Sequence, residues 1–206
     1  MKQKIFPILI MTIILTGCGS QKTVVKKYYT LEQPDKVNQP FVEDSVLFNA
    51  RCEVEDVDVY PAYSSRRIVF RDDSHQIRYF GEHEWAVQPS TVLTPMIIDF
   101  LSAKNLFLRV SDRFWEHTPE YRINTTVFEI EVGTAQNKKD FIAHLKLRFE
   151  LIDTRSGTSI LTHISNKKST LEERNLNLMA ESISNLFYEE LENFAQQIRK
   201  TLSAQS

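Results

Sequence analysis

Between Phe141 and Leu151 every second residue is apolar: Phe141, Ala143, Leu145, Leu147, Phe149 and Leu151. His144, Lys146, Arg148 and Glu150 stand on the opposite face of the same stretch. Side chains along a strand point alternately to two faces, so this run predicts a strand with one dry side and one wet side. A dry side needs a cover. The chain offers one near its end, where Leu176, Met179, Ile183, Leu186, Phe187, Leu191, Phe194, Ile198 and Leu202 recur at helical spacing. Thr170-Leu171-Glu172-Glu173 ahead of that stripe has the form of a capping box and predicts the helix start. Arg199 and Lys200 near its end suit the helix dipole.

A second helix is expected from Pro89 to Lys104, with Val92, Leu93, Met96, Ile97, Phe100 and Leu101 on one face. Ser90 or Thr94 can cap it. Pro95 fits the first helical position after Thr94, and should kink a helix that begins at Ser90. Asn105 closes it. Strands are expected at Tyr28 to Leu31, Val46 to Val54, Leu106 to Val110 and Tyr121 to Val132. In the last of these the apolar face switches at Val127-Phe128, which predicts a bulge. Arg67 to Arg71 and Ile77 to Phe80 read as a hairpin turning at Asp72-Asp73. Asp153 to Gly157 turns the chain into a returning strand from Thr158 to Ser165. The fold expected is α+β: two layers, a mainly antiparallel sheet, and two helices packed on one face.

The N-terminus carries a different signal. Lys2 and Lys4 precede Ile5 to Leu15, which is apolar except for Thr12. That run falls short of the roughly 20 apolar residues that span a bilayer, and fits the apolar core of a secretory signal peptide. It ends in Leu15-Thr16-Gly17-Cys18, which looks like a bacterial lipobox. Residues 1–17 are then a signal peptide, 18–27 a lipidated cysteine with its tether, and 28–206 a single α+β lipoprotein domain. Acyl chains such as palmitate on Cys18 would hold the domain on a lipid bilayer. Gly19, rather than aspartate, follows the cysteine. By resemblance to lipoproteins of two-membrane bacteria this implies the outer membrane and a periplasm-facing domain, with inner-membrane anchoring left open.

Several function classes are disfavoured by composition. Only five glycines occur, two of them at or beside the lipobox, so neither a P-loop nor a dinucleotide-binding turn can be built. The formal net charge of −2 gives no basic footprint for nucleic acid. There is no Gly-x-Ser-x-Gly and no His-Glu-x-x-His, and the five histidines lack ligand spacing. Glu53, Glu55, Asp56 and Asp58 cluster without the glycine a calcium loop needs, and read as a solvated strand end. Glu82-His83-Glu84 are neighbours on an extended chain and point in opposite directions. No metal and no cofactor are expected, and no catalytic residue. With Cys18 acylated, Cys52 is the single remaining thiol and reads as buried and inert. Phe114 and Trp115, in a polar loop from Ser111 to Glu120, are either packed anchors or exposed contacts.

Three landmarks in order resemble a family. Tyr28-Tyr29-Thr30-Leu31 follows the lipidated cysteine closely. Val57-x-Val59-x-Pro61-x-Tyr63 precedes Arg67-Ile68-Val69-x-Arg71. Ile77-Arg78-Tyr79-Phe80 precedes Trp85-x-x-x-Pro89 and a helix ending in Leu101-x-x-x-x-Leu106-Phe107. Together they resemble the ABC-type transport auxiliary lipoproteins, which include the paraquat-inducible and related periplasmic lipoproteins. The resemblance implies a non-catalytic subunit beside an ABC permease and ATPase complex and a protein with mammalian-cell-entry (MCE) domains that ferries lipid across the envelope. Contacts would be made near Tyr28, Tyr29, Trp85 and Trp115, and self-association is left open. Two other readings remain beside it: the lipoprotein partner of an outer-membrane barrel that assembles lipopolysaccharide, and an envelope hydrolase.

Overall fold

The computed structural model describes residues 25–34, 46–71, 75–135 and 140–204. The signal peptide, Cys18, the start of the tether, most of the proline-bearing loop before Val46 and the Asp72-Asp73 turn lie outside the described residues. Nine strands form one sheet: β1 (Lys27–Tyr29), β2 (Phe48–Val54), β3 (Asp58–Val59), β4 (Arg67–Arg71), β5 (Ile77–Trp85), β6 (Phe107–Ser111), β7 (Tyr121–Thr134), β8 (Phe141–Asp153) and β9 (Thr158–Thr170). Among the described residues two helices accompany them, α1 (Pro89–Ala103) and α2 (Leu176–Ser203).

The α+β reading holds, but the sheet is mixed. β7–β8, β8–β9 and β4–β5 are antiparallel, as the alternation and the hairpin require. β2, β3 and β4 all run parallel to β7. Their pairings advance together, from Cys52↔Tyr121 through Asp58↔Thr126 to Val69↔Glu131. Residues 52–71 therefore behave as one interrupted strand lying along a single edge of β7, with an excursion at residues 60–66. Periodicity within each piece cannot reveal that they share an edge. The bulge expected at Val127-Phe128 is present, as a register shift between Val127 and Glu129.

The dry face of β8 is covered as expected. Ala143, Leu145, Leu147, Phe149 and Leu151 are all buried, and so is every residue of the α2 stripe. Phe149 stacks on Phe194 at 5.1 Å between ring centres and meets Phe187 at 6.0 Å. Burial of each such ring is worth about 2–3 kcal/mol. α1 covers the part of the same face beside β2, β3 and β6, through Leu93, Met96, Ile97, Phe100 and Leu101. Cys52 is fully buried, and burial pushes its thiol well above the ordinary range.

Both helices are capped by residues other than those expected, although α1 begins at Pro89 as its periodicity predicts. Thr170 still belongs to β9, paired with Ile142, so its capping box is not used. Asn175 caps α2 instead, its side chain accepting from the Asn177 N–H at 2.8 Å. α1 begins at Pro89, after Gln88, and runs through Pro95. Proline removes the N–H that would reach the Thr91 carbonyl, and both residues are exposed, so water can take that carbonyl. Thr94 is buried and ties the helix to the segment that enters β3, accepting from the Val57 N–H at 3.0 Å. Asn105 ends α1 at φ 50°, the left-handed region that asparagine tolerates.

Candidate functional site

Two of the sequence landmarks converge on one buried carboxylate. Glu131 sits on β7, on the face away from the helices, and is 2% exposed. Tyr63, carried in by the excursion at residues 60–66, donates its hydroxyl to Glu131 Oε2 at 2.8 Å. Arg71 at the end of β4 donates Nε to Glu131 Oε1 at 2.6 Å and Nη2 to the Tyr63 oxygen at 2.6 Å. His144 is the cross-strand partner of Glu131, with Nδ1 3.2 Å from Glu131 Oε1 and 3.2 Å from Glu129 Oε2. Its Nε2 lies 2.8 Å from Asn166 Oδ1. Burial alone would push the Glu131 carboxyl up. Hydrogen bonds from His144, Arg71 and Tyr63, with the Arg71 charge, outweigh it and hold the group at about 2. Burial and the bond to Glu131 push the Tyr63 hydroxyl the other way, well above its ordinary range.

The ligand-type atoms of Glu129, Glu131 and His144 lie within 4.8 Å of one another. The chemistry of the set argues against a metal. Both Glu131 oxygens already accept from protein donors, and Lys146 Nζ stands 3.6 Å from Glu129 Oε1. Two fixed cations thus balance two carboxylates, and a dication would have to settle beside the Arg71 guanidinium. The arrangement works as a clasp that fastens β4, β7 and β8 and the Tyr63 excursion together.

A second polar group lies between β9 and α2. His163 Nε2 is 2.7 Å from Glu190 Oε2, and Gln197 Nε2 is 2.9 Å from His163 Nδ1. Lys167 Nζ reaches Glu189 and Glu190 at 3.3 and 3.5 Å. Burial would raise the Glu190 carboxyl, and the His163 hydrogen bond and Lys167 charge hold it below its ordinary value. Both imidazole nitrogens of His163 are thus engaged by side chains of α2. An open groove of about 420 Å³ runs over this group, lined by polar side chains including Asn193, Gln196 and Lys200.

The four residues expected to make contacts separate into three kinds. Trp85 is 3% exposed and belongs to the core, so its indole has no surface to offer a partner. Tyr29 is half-buried, paired in register with Trp85, and its hydroxyl lies 2.7 Å from His83 Nδ1. Tyr28 is 54% exposed. Trp115 is 83% exposed, with the Arg113 guanidinium 5.0 Å from its ring centre. Trp115 stands apart from the other three on the loop between β6 and β7. The sequence reading missed the Glu131 clasp. Its signal was there in a charged residue at a strand position flanked by Ile130 and Val132, both buried.

A family model speaks to the family of this chain, and solved structures speak to its fold. A family model described as "ABC-type transport auxiliary lipoprotein component" matches residues 29–187. The crystal structure of a Xanthomonas campestris protein is similar at TM-score 0.66 and 12% identity, covering 87% of this chain and 100% of that one. Another crystal structure, of an uncharacterised protein, is similar at TM-score 0.66 and 16% identity, over 84% of this chain and 99% of that one. A hypothetical protein from Chlamydia trachomatis reaches TM-score 0.50 at 7% identity, over 76% of this chain and 99% of that one. At these identities the likeness shows the fold. No curated protein matches the chain.

Proposed function

We propose, for a chain that belongs to the family of ABC-type transport auxiliary lipoprotein components, that it serves as the anchored accessory subunit of an MCE-type system moving lipid across the cell envelope. Acylated Cys18 fixes it to a membrane, the outer one by the residue that follows the cysteine. The permease, the ATPase and the MCE-domain protein are separate chains. This one acts by contact and not by turnover. Trp115 is the observation that carries the contact reading: a large aromatic side chain 83% exposed, on a loop between two strands. Exposed tryptophans of this kind are frequent anchors at protein interfaces. The carboxylate–histidine groups support the same reading, because their polar atoms are occupied by one another.

Affinity purification of the acylated protein from detergent-solubilised envelope tests this. An MCE-domain protein and an ABC permease should co-purify, and Trp115→Ala should reduce their yield several-fold. Repeated recovery of unrelated proteins alone would overturn the assignment. Intact-mass measurement of the native product checks the anchor separately, since Cys18 must carry acyl chains.

A further inference from the structure

The edge of the sheet where the described chain begins has a composition unlike the rest of the surface. Lys26 and Lys27 lead into β1, and Arg66 and Arg67 lead into β4. The strands bring them together: β1 pairs with β5, β5 pairs with β4, and both Lys26 and Arg66 reach Glu84, Arg66 at 3.8 Å. The Arg66 guanidinium lies 5.2 Å from the Tyr28 ring centre, and that of Arg67 lies 3.8 Å from the Tyr79 ring centre. Ala86 donates its N–H to the Tyr29 carbonyl, which seats Val87 beside β1. Val25 is 72% exposed, Tyr28 54% and Val87 42%. Four basic residues gather around one contacted acid, Glu84, with Glu82 two residues before it on β5, and are interleaved with exposed aliphatic and phenolic groups.

We infer that this edge lies flat against an anionic glycerophospholipid bilayer, with Lys27, Arg66 and Arg67 over the headgroups and Val25, Tyr28 and Val87 entering the interface. The inference rests on the reading of Cys18 as an acylated anchor, and adds to it which face of the domain meets the lipid. Two arguments carry it. The first is reach: Lys27 lies nine positions after Cys18, and even fully extended that stretch spans only about 30 Å. The second is chemistry. Amphipathic tyrosines settle at headgroup depth, and basic side chains on aliphatic stems are attracted by anionic lipid. The attraction is electrostatic and fades with salt.

The test uses the acylated full-length product in vesicles. With Cys18 acylated and Cys52 buried, Val87→Cys gives a single reactive thiol for a spin label, and Ser159→Cys on the opposite edge of the sheet gives a control. In vesicles containing phosphatidylglycerol the label at 87 should become protected from an aqueous nickel relaxant and accessible to oxygen, while the label at 159 stays aqueous. In pure phosphatidylcholine, in 0.5 M salt, or with Lys27→Glu and Arg67→Glu, position 87 should return to the aqueous signature. The salt arm needs no charge substitution, so misfolding of the glutamate variants cannot mimic the result. An aqueous label at 87 in phosphatidylglycerol vesicles, or protection that ignores salt, would overturn the inference. Intact mass of the same sample separates that outcome from a failure of the anchor itself.

Discussion

The Tyr63 hydroxyl meets Glu131 across 68 positions of sequence, at 2.8 Å, and Arg71 meets both. Removing one member should expose how much the others depend on it. Arg71→Met leaves the Glu131 carboxylate buried with its main charge partner gone, and should cost about 3–5 kcal/mol. Glu131→Gln leaves a guanidinium that is 29% exposed and can turn to water, and should cost about 1–2 kcal/mol. The double variant should lie near the milder single one, well short of the sum. Urea unfolding of the three variants measures this, and additivity would show that the clasp is not one unit.

The same carboxylate makes stability depend on acid. Glu131 is held at about 2 in the folded protein, against an ordinary glutamate value of 4.5. The unfolded chain therefore binds a proton first as pH falls. The contribution is complete above pH 4.5 and is lost on the way down to about 2, with a ceiling of about 3 kcal/mol. Glu120, held at about 2 first by the Arg51 side chain and then by the Arg51 N–H, loses its share in the same window. That pair is more exposed and should count for less. Urea midpoints between pH 7 and pH 3 should fall steeply for the wild type and much less for Glu131→Gln.

The two candidate caps of α2 can be told apart by substitution. Asn175→Ala removes the acceptor for the Asn177 N–H and should cost about 1 kcal/mol, a drop of a few degrees in Tm. Thr170→Ala, at the end of β9, should stay within about 0.5 kcal/mol. The reverse order would restore the capping box as the helix start.

The two tryptophans should behave as opposites. Trp85→Ala opens a void in the core and should cost about 3–5 kcal/mol. Trp115→Ala should leave the unfolding free energy unchanged within about 0.5 kcal/mol while weakening partner recovery. An equal loss of stability at both sites would return Trp115 to a packing role.

Much of the fold could be read from one-dimensional patterns, and the reason is local. The alternation in β8 and the stripe in α2 each carry their own evidence, because a face is defined by spacing within a single element. The bulge in β7 was visible for the same cause: two adjacent apolar residues, Val127 and Phe128, break a period of two. The parallel course of β2, β3 and β4 along β7 was not visible, since which edge a strand joins depends on a partner some 60 or more residues away. The false capping box shows a tertiary override. Thr170 has the right neighbours for a cap, yet the ladder with β8 extends to Ile142 and claims it. The clasp escaped notice because each member looks ordinary in its own segment. A tyrosine in a turn, an arginine at a strand end and a histidine on a wet face acquire meaning only once the sheet brings them to Glu131.

β7 also sets an order of events. It takes β2, β3 and β4 on one edge and β8 on the other, so the β4–β5 hairpin and the β2–β6 pair are joined into one sheet only once β7 has been made. Contacts of such separation close late and slowly. A fragment ending before Tyr121 should show no cooperative unfolding transition by circular dichroism. Were the chain exported through a narrow channel, as the signal peptide expected at its N-terminus implies, that delay would keep the polypeptide slack during passage and let it tighten only after its centre had crossed.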